Sequence, residues 1–278
     1  MINLLLAVLS SAMVSVIMRL SSGKVSGNVG MLAVNYLMCL VVAGAYAGPE
    51  GFLPGGSGAA VVVLMGIING FFYLAGFVLL QSSVGKNGVV LSSLFMKLGL
   101  LVPIAVSVAV FGEAPVLSQA IGFALAVAAI ILVNTRQNGE KVKFRGGLLL
   151  LLLAGGSGDA MSKVFEEVGN PALSEQFLLY TFAAALILCT MLLIKRRQSV
   201  GKWELLFGLL IGVPNYFSAR FLLGALETLP AVIVYPTFSV GTILVITLVG
   251  CIAFRERLSR RQWAAMAIIL PALVLLNV

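Results

Sequence analysis

Four charged side chains sit inside runs that are otherwise apolar. Lys97 lies in SLFMKLGL, Asp159 and Lys163 in AGGSGDAMSK, and Arg220 in NYFSARFLL. Each such group costs about 2.5–3.5 kcal/mol at the centre of a membrane helix, so it needs a partner, water or a task. The chemistry open to them is recognition of charge: an ammonium or guanidinium for a carboxylate or phosphate, an aspartate for an ammonium or a proton. Asp159 and Lys163 are four residues apart, which puts them on one helix face where they can pair. Arg220 can reach an interface by snorkelling. Lys97 is about nine residues into its run, roughly 14 Å deep at the helical rise, too deep for that route. Neutral polar groups gather in similar runs: Asn69 and Tyr73, Asn215 and Tyr216, and Tyr235 beside Pro236. They can hold substrate or bond neighbouring helices. These eight residues, Lys97, Asp159, Arg220, Asn69, Tyr73, Asn215, Tyr216 and Tyr235, are the candidate substrate-binding set. No catalytic set emerges. The chain has no histidine, and Cys39, Cys189 and Cys251 show neither metal spacing nor a disulfide framework. No metal and no cofactor are expected.

The elements that must position these groups follow from composition. Of 278 residues, 60% are hydrophobic and 10% charged, and the mean hydropathy is +1.11. A soluble domain carries about 25% charged residues. An all-α polytopic membrane protein is expected, because strands crossing a bilayer would alternate polar and apolar residues. Ten stretches approach the length of about 20 residues needed to cross: 2–20, 29–47, 59–81, 88–110, 117–134, 146–165, 173–194, 203–226, 230–252 and 262–278. The first reads as a spanning helix, since no basic segment and small-residue cleavage site mark it as a leader. Of the 18 Lys and Arg, 15 fall in alternate connections, after helices one, three, five, seven and nine. The opposite connections carry Glu50, Glu113, Glu166, Glu167, Glu175 and Glu227. Basic loops face the cytoplasm, so both termini are expected outside it. Charge of this kind orients the chain in a plasma or inner membrane and does not indicate nucleic acid.

The sequence also repeats. VFGEAPVLSQ at 110–119 and AFRERLSRRQ at 253–262 share Phe, Glu and Gln at one spacing. Phe111 and Phe254, Glu113 and Glu256, Gln119 and Gln262, Asn134 and Asn277, and Tyr73 and Tyr216 are each 143 residues apart. An offset near half the length points to a duplication. The expected organisation is a five-helix repeat over 1–134, a basic linker over 135–145 and a second five-helix repeat over 146–278. An odd helix number turns the second copy upside down, the inverted arrangement found in secondary transporters. Glu113 and Glu256, each just before a helix, are expected to cap that helix and oppose its dipole. Gly66 with Gly70, and Gly208 with Gly212, form one GxxxG in each half and are expected to be close-packing positions.

The stretch LQSSVGKNGVVLSSLFMKLGLLVPIAVSVAVFGEAPVLSQAIGFALAVAAIILVN resembles the closing part of an EamA repeat of the drug/metabolite transporter superfamily. LLGALETLPAVIVYPTFSVGTILVITLVGCIAFRERLSRRQWAAMAIILPALVLLN resembles a second copy. The resemblance implies a ten-helix carrier of small metabolites with a cavity lined from both halves. Many EamA-type proteins keep their termini in the cytoplasm, whereas the charge pattern here places them outside. The single-unit multidrug exporters of the superfamily carry an acid in helix one, and none is present here. The expected function is a secondary-active or facilitative carrier of a small polar metabolite, working by alternating access. Counting Lys97, Lys163 and Arg220 against Asp159 gives an excess of two cations, which favours an organic anion or an amino acid-like zwitterion. Asp159 is the candidate for proton coupling. The expected partners are the lipid bilayer and the small-molecule substrate, with the chain a monomer or homodimer. The alternatives are a drug exporter of the same superfamily, a lipid-modifying membrane enzyme, which would need a cluster of acid–base groups, or a scaffold.

Overall fold

The computed structural model describes residues 1–25, 27–48, 52, 58–87, 92, 95–134, 145–253 and 260–277. The chain is all-α, and among the described residues it forms ten α-helices. They are α1 (Ile2–Ser21), α2 (Asn28–Ala47), α3 (Ala59–Asn87), α4 (Leu101–Phe111), α5 (Leu117–Asn134), α6 (Arg145–Val168), α7 (Ser174–Lys195), α8 (Lys202–Leu226), α9 (Ala231–Ala253) and α10 (Arg260–Leu276). Seven contain spans long and apolar enough to cross a membrane, the dimensions of a membrane protein's helices. The other three apolar helices, over Phe95–Phe111, Leu117–Leu132 and Trp263–Leu276, are shorter. Large apolar side chains such as Leu5, Leu37, Phe71, Ile187 and Ile252 point outward, as expected of surfaces bathed in hydrocarbon.

The chain divides into two compact units: Met1–Leu74 with Val164–Glu227, and Ala75–Lys163 with Thr228–Val278. Each draws helices from both halves of the sequence. In the first unit α8 packs against α1 and α2, and α2 packs against α7. Both GxxxG pairs lie in this unit, and both are close-packing positions. A Cβ on Gly212 would collide with Met38 and the Asn35 carbonyl of α2. One on Gly66 would come within 2.9 Å of the Phe177 carbonyl of α7. Phe165 stacks on Phe177 with ring centroids 4.4 Å apart, and both rings are buried.

In the second unit α5 packs against α10, and α9 against α4, α5 and α10. Its α4 ends at Gly112, whose φ of 71° and ψ of 18° lie in the left-handed region. That conformation is strained for residues with a Cβ and closes a helix with a sharp turn. Four positions later the chain enters α5 through a capping interaction: the Val116 N–H donates to Oε1 of Gln119 at 3.2 Å. A side chain three residues into the helix reaching back to the residue before it is half of a capping box. Gln119 therefore caps the helix that Glu113 was expected to cap. In the second copy, Phe254 and Glu256 lie outside the described residues, as do 135–144 of the linker.

Candidate functional site

Glu113 is freed for a longer reach. From the turn between α4 and α5 its carboxylate accepts the N–H of Ala231, the first residue of α9, at 2.8 Å. Its other oxygen sits 2.7 Å from the Lys163 ammonium of α6. Glu113 thus caps the start of a helix 118 residues further on, not the helix that follows it as expected. Lys163 is only 2% exposed and Glu113 18%, so the pair is largely withdrawn from solvent. Burial alone would raise the Glu113 pKa. The Lys163 ammonium and the Ala231 N–H outweigh it and hold the carboxyl below its ordinary value. The local pairing of Asp159 with Lys163 that their spacing allowed gives way to this ion pair.

Asp159 looks elsewhere. It and Lys97 are both half-buried, and each is the charge whose field the other feels. Lys97 lies in the turn of helix leading into Leu98–Leu100. The Tyr235 hydroxyl donates to the backbone carbonyl of Asp159 at 2.6 Å, which fixes α9 against α6 at Asp159. Tyr235 is 1% exposed. Three of the sequence-derived candidates, Lys97, Asp159 and Tyr235, therefore lie in the second unit, and Tyr235 touches the backbone of Asp159.

The first unit brings together two more. Arg220 of α8 donates from Nε to Oε1 of Glu175 at 2.6 Å. Tyr216, one turn earlier, donates its hydroxyl to Oε2 of the same carboxylate at 2.6 Å. Glu175 stands in the first turn of α7, where a carboxylate also suits the helix dipole. Beneath the guanidinium lies Tyr46 of α2, with Cζ 4.1 Å from the ring centroid, and that ring stacks on Tyr216 at 5.7 Å. Arg220 is held by an anion and an aromatic face. Beside it opens a cavity of about 250 Å³ that includes Asn3, Leu178, Phe221 and Glu227 in its lining.

The remaining candidates act as ties between helices. Asn215 donates to Oδ1 of Asn35 at 3.2 Å, and the Cys39 thiol donates to the Gly212 carbonyl at 3.2 Å. Both join α2 to α8. Asn69, 1% exposed, donates to the Thr181 hydroxyl at 3.3 Å and joins α3 to α7. The Tyr73 ring meets Phe182 edge-on at 6.0 Å, and Phe182 lies 6.2 Å from the Tyr216 ring.

Glu175, Tyr46, Asn3 and Glu204 were not among the candidates. Glu204, 3% exposed, accepts the Gly27 N–H at 3.1 Å. The signal that would have found Glu175 and Glu113 is the excess of cations itself: buried charge demands a counterion, and only the turn acids were left to supply it. With Glu113 on Lys163, Glu175 on Arg220 and Asp159 facing Lys97, the two-cation excess counted from the sequence disappears.

No family model matches the chain. An uncharacterized protein of Haemophilus influenzae is 24% identical over 284 residues, a span that takes in 98% of this chain and 96% of that one. A solved protein crystal structure superposes with a TM-score of 0.75 at 17% identity, over 99% of this chain and 94% of its own, and therefore shares the fold.

Proposed function

We propose that the chain is a carrier of a small polar metabolite, an amino acid-like zwitterion or an organic anion, of the drug/metabolite transporter type. In this reading ten helices span the inner membrane as two inverted five-helix repeats, and cargo moves by alternating access without enzymatic chemistry. The observation that carries it is Lys97 with Asp159. Two half-buried opposite charges within apolar helices are expensive to insert, and neither is used as a helix cap. The mutual compensation of all three cations favours the zwitterion over the anion, because neutral pairs of fixed charge match separated charges of both signs and give a lone negative group no net attraction. The test is flux into liposomes holding the purified protein, with radiolabelled amino acids and dicarboxylates run side by side. Saturable uptake above empty liposomes supports a carrier, and none for either class removes it.

The orientation belongs to the same reading: basic loops inside, acidic connections and both termini outside. Single cysteines at Ala172 and Ser199, both exposed, test it in a cysteine-free background. An impermeant thiol reagent on intact cells is expected to label Ala172→Cys and spare Ser199→Cys. The reverse pattern refutes the orientation.

A further inference from the structure

The cavity beside Arg220 has the chemistry of a binding site in its own right. Among the described residues the guanidinium engages Glu175 through Nε alone, leaving its two terminal nitrogens without a hydrogen-bond partner. Those nitrogens form the fork that suits a carboxylate. Tyr216 and Glu175 below, and the Tyr46 ring against its face, fix the plane of that fork. Arg220 is 34% exposed and lines the cavity, as does Glu227. Glu227 is exposed. Leu178 and Phe221 supply apolar wall, and Asn3 is tied down by its bond to the Gly224 carbonyl at 3.0 Å.

The charges select among ligands. Glu175 offsets Arg220, so Glu227 leaves the lining with one net negative charge. A simple carboxylic acid would meet the fork but also that charge. A simple amine would satisfy Glu227 and leave the fork empty. A molecule with a carboxylate and an ammonium on neighbouring atoms answers both. We infer that this cavity binds an amino acid with a short apolar side chain, its carboxylate on the terminal nitrogens of Arg220 and its ammonium facing Glu227. As cargo recognition this rests on the carrier reading; as binding it does not.

The experiment uses the full chain in lipid nanodiscs and radiolabelled L-alanine, L-valine and L-leucine. Unlabelled isopentylamine and 4-methylpentanoate, leucine without its carboxylate and without its ammonium, serve as competitors. Saturable binding of at least one amino acid is expected, with each competitor weaker by about tenfold or more, because a site built for a polar group rejects the analogue lacking it. Arg220→Lys keeps the charge and loses the fork, and should weaken binding about tenfold. Glu227→Gln, at an exposed position, should weaken the amino acid similarly and let 4-methylpentanoate compete as an equal. Absence of saturable binding of all three amino acids overturns the site, as does unchanged affinity in both folded variants. Binding without liposome flux would leave the site standing and remove the carrier. Flux that ignores both substitutions would do the opposite.

Discussion

Lys97→Met is expected to insert and fold like the parent chain and to lose about a hundredfold in flux. The magnitude is that of removing one partner from a desolvated charge contact, about 3 kcal/mol. Methionine keeps much of the volume and cannot carry charge, so the loss reports the ammonium. Asp159 supplies the control, since it is the charge whose field acts on Lys97. If the lysine only neutralises the aspartate, adding Asp159→Asn to Lys97→Met should restore flux. If it holds cargo, the double variant stays inactive. Normal flux through a well-expressed Lys97→Met protein excludes the contact.

Glu113→Gln should produce the largest loss of stability of any single turn residue. It takes from the Lys163 ammonium, 2% exposed, the carboxylate that sits 2.7 Å away. Breaking a buried pair from one side costs about 3–5 kcal/mol, roughly 6–20 °C in apparent melting temperature for a chain of this size class. Lys163→Met should cost less, because Glu113 keeps the Ala231 N–H. The double variant should recover most of the loss, since an apolar replacement of a buried pair is often neutral. Melting of Glu113→Gln together with the parent would refute the pair's role. The sign of the pH dependence follows from the lowered Glu113 pKa. A folded value below the ordinary 4.5 means the unfolded chain binds the proton first as pH falls. The gap between parent and Glu113→Gln should therefore hold above about pH 4.5 and close as pH drops through the folded value.

The helices were legible in the sequence nearly to their ends. The expected 117–134 matches α5, and the expected 203–226 starts one residue inside α8. Apolar runs in a charge-poor chain leave little choice of where a helix can lie. Helices three and four are the exceptions: α3 runs on to Asn87 where 59–81 was expected, and where 88–110 was expected α4 begins at Leu101 after the short turn Leu98–Leu100, with most of 88–94 outside the described residues. The site was legible by residue type and not by partner. Arg220 with Tyr216 and Lys97 with Asp159 could be nominated because charge and phenol are scarce. Their counterions could not, because Glu175 and Glu113 reach across 45 and 50 residues of chain, and reach depends on packing rather than periodicity. Glu113 shows the limit most clearly. It stands where a cap for the next helix belongs, and Gln119 takes that place.

The interleaving of the two units sets an order on synthesis. Helices α1 and α2 emerge first, yet α8, the helix both pack against, ends at residue 226. At ~5–20 residues per second the ribosome needs on the order of ten seconds or more to deliver it. Glu113 likewise waits through 118 residues before the amide it caps exists. Neither unit can close while the chain is half made, so the early helices must persist as separate, lipid-solvated pieces and condense late. Their small-residue faces, Gly66 and Gly70 among them, are then exposed to the insertion machinery and to each other for most of the protein's biogenesis. For this chain the hazardous interval is assembly in the membrane rather than insertion into it.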